Sequence, residues 1–239
     1  MMRSIYKRIF NSKEEVNNKD LNTVRGLEIQ RGETVGALTP YVIKESKDIR
    51  TVQVDVFSEL IKNRTLFFDR DVERDSVTTA MCQLLYMMAV SKEPITIYIA
   101  TPGGDVYYGL ALYDLMEMIK KEGIIINVYC IGLAASMGSI LMCGGSRGHR
   151  YALKHSRIMI HQPLSGTGPG HHQETDIRIL SEETSILRKE LETILAEVSG
   201  KTVDEINKDC ERDHWLTADE CLPGKFGKFG LIDKIKTSF

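Results

Sequence analysis

Apolar and polar residues follow two distinct periods along this 239-residue chain. Val52, Val54 and Val56 alternate with Gln53 and Asp55, the period of a strand with one covered face. Thr65 to Phe68 and the β-branched run Ile95 to Ala100 read as short buried strands. So do Ile124 to Ile131, Arg150 to Leu153, Arg157 to Ile160 and the closing Gly230 to Lys236. Between these runs apolar residues return at helical spacing. Positions 81, 84, 85 and 88 predict a helix over 72–90, and positions 110, 112, 115, 116 and 119 predict one over 106–120. The longest, over 174–198, carries its stripe at 177, 180, 187, 191, 194, 195 and 198, with Gly200 placed to cap it. Thr202-Val203-Asp204-Glu205 has the form of a capping box that opens a further helix, and Thr217-Ala218-Asp219-Glu220 repeats the form. Strand followed by helix, repeated, places the chain in the α/β class. Residues 1–36 are polar, show no sustained period and read as a weakly ordered extension.

Composition narrows this picture. Hydrophobic residues at 42% and charged residues at 27% fit one large globular domain with a sizeable core. A formal net charge of −2 gives no reason to expect nucleic acid or an anionic membrane as partner. No apolar run approaches the roughly 20 residues of a membrane span. Five dispersed cysteines without a C-x-x-C pair point to a reducing compartment and to core packing. The basic residues near the N-terminus (Arg3, Lys7 and Arg8) lack the apolar stretch of a secretory signal. No Walker motif occurs, so the chain is not expected to hydrolyse ATP itself.

Candidate chemistry gathers at strand ends. Ser136 sits among small neighbours in Ile131-Gly-Leu-Ala-Ala-Ser-Met-Gly138, between an apolar run broken at Gly132 and a short helical run, Ile140 to Cys143. A hydroxyl there can act as an exposed nucleophile beside helical N–H groups. Ala134 rules out the G-x-S-x-G elbow. On spacing alone a helix-capping serine is the stronger account. Thr101-Pro102-Gly103-Gly104-Asp105 is a second strand-to-helix turn, one whose glycines allow another chain to approach. His161 follows an apolar run directly and, taken by itself, reads as structural. The charge run Asp209 to Asp213 reads as a solvated face, and Leu222 to Gly230, rich in glycine, as a surface loop. His171-His172 has no third metal ligand at suitable spacing, and an exposed loop is expected there.

Taken in order, these stretches closely resemble the proteolytic subunit family of the Clp protease. The resemblance runs from about residue 38 to 236. It is carried by Thr101-Pro102-Gly103-Gly104, Tyr113-Asp114, Leu133-Ala-Ala-Ser-Met-Gly138, Arg150-Tyr-Ala-Leu153, Ser156 to Pro163, Asp209-Cys-Glu-Arg-Asp213 and Gly230-Leu-Ile-Asp233. It implies a crotonase-like (ClpP) α/β fold of repeated strand-turn-helix units with a projecting helical handle over about 164–200. It also implies an axial pore segment over 37–56 and a peptidase domain over 57–239, with residues 1–36 as a removable propeptide. The implied catalytic residues are Ser136 as nucleophile, His161 as base and Asp213 as orienting carboxylate. The implied oxyanion donors are the backbone N–H groups of Gly104 and Met137.

The resemblance further implies a serine endopeptidase built as two stacked seven-membered rings. A hexameric ATPase of the Clp family would unfold protein substrates and feed them in, using the ATP, with no cofactor or metal in this chain. A cytoplasmic or organellar compartment follows. Thr101 stands where the family usually has serine, and this exchange is expected to matter little. A catalytically silent ring subunit and a crotonase-like acyl-CoA hydratase are the competing readings. An intact Ser, His and Asp set argues against both.

Overall fold

The computed structural model describes residues 41–45, 51–166, 168 and 170–238. The expected propeptide, much of the axial segment and Pro169 of the handle loop lie outside the described residues. Within the axial segment, β1 (Tyr41–Glu45) and β2 (Thr51–Asp55) pair antiparallel.

The remaining strands, β3 (Thr65–Phe68), β4 (Ile95–Thr101), β5 (Ile126–Ala135), β6 (Arg150–Leu153), β7 (Arg157–Ile160), β8 (His214–Thr217) and β9 (Lys234–Lys236), form one seven-stranded sheet. Its main path runs β3-β4-β5-β6-β9, all parallel. The parallel strands are the apolar runs of the sequence, as expected where helices cover a sheet. Helices α1 (Val56–Lys62), α2 (Arg74–Val90) and α3 (Val106–Lys121) precede β3, β4 and β5 respectively. Leu84 and Met87 of α2 and Leu112, Met116 and Ile119 of α3 are buried in one core with Leu66, Ile97, Ile99 and Val128 of the sheet. Alternate strand positions carry a row of aromatic rings, Phe67, Tyr98, Tyr129 and Tyr151, with neighbouring centroids 4.7 to 6.1 Å apart.

Four features differ from the sequence expectation. The strand expected to stop at Gly132 continues to Ala135. Gly132, at φ 93, sits where β5 shifts register against β4 from Ile99↔Cys130 to Thr101↔Ala134, so the glycine makes a bulge and not an end. Ser156 stitches that bulge, accepting from the Gly132 N–H at 3.1 Å and donating to the Cys130 carbonyl at 2.8 Å. The two halves of β5 thereby pair with different strands, Val128 to Cys130 with β6 and Leu133 to Ala135 with β7. Second, α1 forms over residues read only as a lead-in to β3, with Asp55 accepting from the Ser58 N–H as its cap. Third, β8 was not signalled. It pairs antiparallel with β7, and the capping interaction after it, Thr217 with Glu220, closes a turn and not a helix. Fourth, the Gly-Lys-Phe repeat at 224–230 is not a bare surface loop. Phe226 is buried in the core, and the Phe229 N–H donates to the Ser199 carbonyl.

The long helix α5 (Glu174–Ser199) changes character along its length. No residue from Glu174 to Glu190 is buried, and Ile177, Ile179 and Ile186 are exposed. Leu191, Leu195 and Ala196 are buried in the core. The helix therefore projects from the domain and is rooted by its last third. Gly200, at φ 74, terminates it, and α6 (Val203–Asp209) starts on the expected Thr202–Glu205 capping box.

Candidate active site

Three strand ends meet on one side of the sheet. The C-terminal end of β4 leads into the glycine turn, that of β5 into Ser136, and that of β7 into His161. Sites at the carboxyl ends of parallel strands are general in open α/β sheets. Here the pairing register explains the convergence. β5 and β7 run in parallel through Ala135↔Met159, and the Ser136 N–H donates to the Met159 carbonyl at 2.8 Å. β7 and β8 run antiparallel through Ile160↔His214, so one step beyond the ladder His161 falls opposite Asp213. The buried helix α4 (Met137–Cys143) starts directly after Ser136.

Ser136 has φ 54 and ψ −125, a backbone conformation that L-residues with side chains rarely take. The expected capping role fails, since its side chain makes no capping hydrogen bond to α4. The Oγ lies 2.8 Å from His161 Nε2, and His161 Nδ1 lies 3.1 Å from Asp213 Oδ1. A carboxylate only accepts, so Nδ1 carries the ring proton toward Asp213 and Nε2 is left to accept from the serine hydroxyl. The His161 side chain is nearly covered and that of Asp213 is open. The strained Ser136 backbone is held at its carbonyl, which accepts from the Ser139 N–H at 2.9 Å and the Ser139 Oγ at 2.6 Å. Ser139 is itself buried, and sequence reasoning passed it over as one more small residue.

Met137 is the first residue of α4, where a helix leaves its N–H groups without intrahelical acceptors. Gly104 forms a one-residue parallel bridge with Val72. The Val72 N–H donates to the Gly103 carbonyl and the Asp105 N–H donates to the Val72 carbonyl, which turns the N–H of Gly104 to the opposite side. Both glycines are required by geometry. At φ 96, a Cβ on Gly103 would lie 2.7 Å from the Ser136 Cβ; at φ 150, one on Gly104 would lie 2.3 Å from the Val72 carbonyl oxygen. Thr101 does more than expected. Its buried hydroxyl donates to the Arg70 carbonyl at 2.6 Å and accepts from the Gly103 N–H at 3.1 Å, bracing the turn.

Ser136, Met137, Gly104 and His161 line one pocket of about 290 Å³, whose apolar wall includes Ile140, Leu191 and Leu195. Its one carboxylate, Glu192, accepts from Arg188 Nε and Asn207 Nδ2, each at 2.8 Å, so it presents no unpaired charge. Cys210 also lines the pocket, and burial pushes its thiol up to about 12, which keeps it protonated and inert. His171 and His172 are exposed, as expected. Among the described residues no His, Cys, Asp and Glu cluster is arranged to hold a metal, and no helix is long and apolar enough to cross a membrane.

Comparison with known proteins agrees over most of the chain. A family model described as Clp protease matches residues 48–238. An ATP-dependent Clp protease proteolytic subunit from Bacteroides fragilis is 40% identical over 201 residues, 84% of this chain and 91% of that protein. Proteins of the same description from Porphyromonas gingivalis and Streptococcus gordonii are 40% identical over 199 residues and 42% identical over 182 residues. They cover 83% and 76% of this chain, and 84% and 88% of their own lengths.

Proposed function

Since the chain belongs to the Clp protease family and is a serine peptidase subunit of it, we propose that Ser136, His161 and Asp213 carry the peptide hydrolysis. The observation that supports this reading most directly is the continuous hydrogen-bonded line from Ser136 Oγ through His161 to Asp213. His161 Nε2 takes the serine proton as Oγ attacks the scissile carbonyl. Asp213 holds the ring in the tautomer that leaves Nε2 free and stabilises the imidazolium. The N–H groups of Gly104 and Met137 receive the developing oxyanion, and His161 then gives its proton to the leaving amine. The same histidine activates the water that releases the acyl-enzyme. The apolar pocket beside Ser136 takes an apolar side chain of the substrate, on the acyl side of the bond cut.

The family works as an oligomer with an ATP-dependent partner. We propose two stacked seven-membered rings that meet through the projecting half of α5, whose exposed Ile177, Ile179 and Ile186 need cover. A hexameric ATPase supplies unfolded polypeptide. Four buried free thiols and one exposed one fit a reducing, cytoplasmic setting.

Labelling with a fluorophosphonate probe, followed by peptide turnover, tests the assignment. Wild-type protein labels and turns over; Ser136→Ala, His161→Ala and Asp213→Ala lose most turnover while the native mass of the particle is kept. Full turnover by purified Ser136→Ala would refute the assignment. The aligned triad weighs against a catalytically silent subunit, and the same labelling separates the two.

A further inference from the structure

His161 and Asp213 sit on different segments, and their meeting depends on what holds the Cys210–Asp213 loop against the end of β7. Gln162, the residue after His161, makes that connection twice and is itself held by Arg188. Its N–H donates to the Cys210 carbonyl at 2.7 Å, its Nε2 donates to the Glu211 carbonyl at 2.8 Å, and its Oε1 accepts from Arg188 Nη1 at 2.8 Å. The amide orientation is fixed by its partners, because a carbonyl only accepts and a guanidinium only donates. Arg188, on α5, reaches the same loop again, with Nη2 3.1 Å from Glu211 Oε2 and 3.4 Å from the Asn207 carbonyl. The loop is thus tied to the histidine strand two residues before Asp213. Asp213 itself is open to solvent, and among the described residues its carboxylate is bonded to His161 alone.

We propose that Gln162, held by Arg188, is a positioning residue that keeps the Asp213 loop in place against His161. Gln162 lies at the wall of the pocket beside Ser136, but its side-chain bonds run to the Glu211 carbonyl and Arg188 and not to the reacting atoms. The role rests on the reading of Ser136, His161 and Asp213 as the catalytic set.

The test is kinetic, on the assembled full chain, with a fluorogenic peptide and native mass as the control for assembly. Gln162→Met removes both side-chain bonds at similar length. Its kcat falls about thirtyfold, within the loss that a displacement of about 1 Å produces, and KM stays within about twofold. Gln162→Glu keeps the acceptor for Arg188 but loses the donor to the Glu211 carbonyl. It falls about fivefold, the scale of one neutral hydrogen bond, and carries the test should the methionine form fail to assemble. In an Asp213→Ala background, Gln162→Met costs less than about twofold, since a residue acting through Asp213 has nothing left to position. A wild-type kcat in both Gln162 variants overturns the proposal. So does a loss confined to KM, or one that persists in full without Asp213. Failure of the underlying reading looks different: Asp213→Ala would then keep full turnover, and both assignments fall together.

Discussion

Replacing Gly103 by alanine puts one methyl group directly against the Ser136 junction. The added Cβ would sit 2.6 Å from the Ala135 carbonyl oxygen, 2.7 Å from the Ser136 Cβ and 2.9 Å from the Met137 nitrogen. Non-bonded heavy atoms settle at about 3.5 Å or more, so the turn must retreat from the Ser136 junction by about 0.9 Å. The backbone adds about 1 to 2 kcal/mol because φ is +96, and overpacking a filled site adds about 1 to 3 kcal/mol. The functional effect follows from direction. The retreat carries the adjacent Gly104 N–H, the proposed oxyanion donor, away from Met137, and on that proposal its misplacement costs about a hundredfold in kcat. The assay is steady-state peptide hydrolysis with thermal unfolding in parallel. Gly123→Ala is the control, with φ +79 and nothing within 4 Å of its added Cβ. It carries the backbone cost without the clash, so it loses about 1 kcal/mol of stability and no activity. A Gly103→Ala enzyme with wild-type kcat, or a Gly123→Ala enzyme equally slowed, would refute the geometric argument.

Other expectations follow from single contacts. Thr101→Ser keeps the hydroxyl that braces the glycine turn and retains activity, whereas Thr101→Val, equal in shape, lowers kcat by about tenfold for two lost hydrogen bonds; equal activities would show that the hydroxyl is idle. Burial raises the Asp233 carboxyl, but its bonds to the nearly covered Arg150 outweigh this and hold it below the usual carboxylate range. Its stabilisation is therefore present above the unfolded value of about 4 and lost as pH falls through the lowered folded value. Asp233→Asn should cost about 3 kcal/mol at pH 7, with the gap from wild type closing below about pH 4; a gap independent of pH in thermal melts would contradict this. Iodoacetamide should modify Cys82 alone among the five cysteines in native protein, since burial pushes the Cys130 and Cys210 thiols up to about 12. Peptide mapping that finds a second modified cysteine before denaturant is added would overturn it. Phe226→Ala should destabilise the fold by about 3 kcal/mol, although its neighbours are glycine and lysine; an unchanged melting temperature would return 222–230 to the status of a surface loop.

Periodic segments were legible from local pattern. Strands β3, β4, β6 and β7 and helices α2, α3 and α5 lie within a few residues of where the apolar pattern puts them, and α6 starts where its capping box does. Segments whose structure comes from distant partners were not. His214-Trp-Leu-Thr217 has no alternation of its own and becomes a strand only because β7 offers a ladder. Gly132 looked like a stop because composition does not distinguish a bulge from an end. The glycines around Phe226 marked the segment as exposed, yet the ring between them is core. The site divided in the same way. Small residues and glycines flagged the two turns, but spacing alone favoured a cap for Ser136, and only the ordered motifs of the family resemblance joined it to His161 and Asp213. Ser139 carried no signal, and Thr101 and Gln162 stood only as members of larger motifs, because the work of all three depends on contacts made after folding.

The antiparallel docking of β8 on β7 gives the chain an uneven tolerance for length changes. Side chains along a strand alternate faces with a period of two, so one residue gained or lost between Asp213 and Thr217 would send Asp213 to the opposite face of the sheet, however conservative the inserted residue. Among the described residues of the handle loop between Pro163 and Gln173, none pairs with a strand of the sheet, so no such register counts their number. An insertion in that loop therefore leaves the register of Asp213 against His161 untouched, while one between Asp213 and the end of β8 does not.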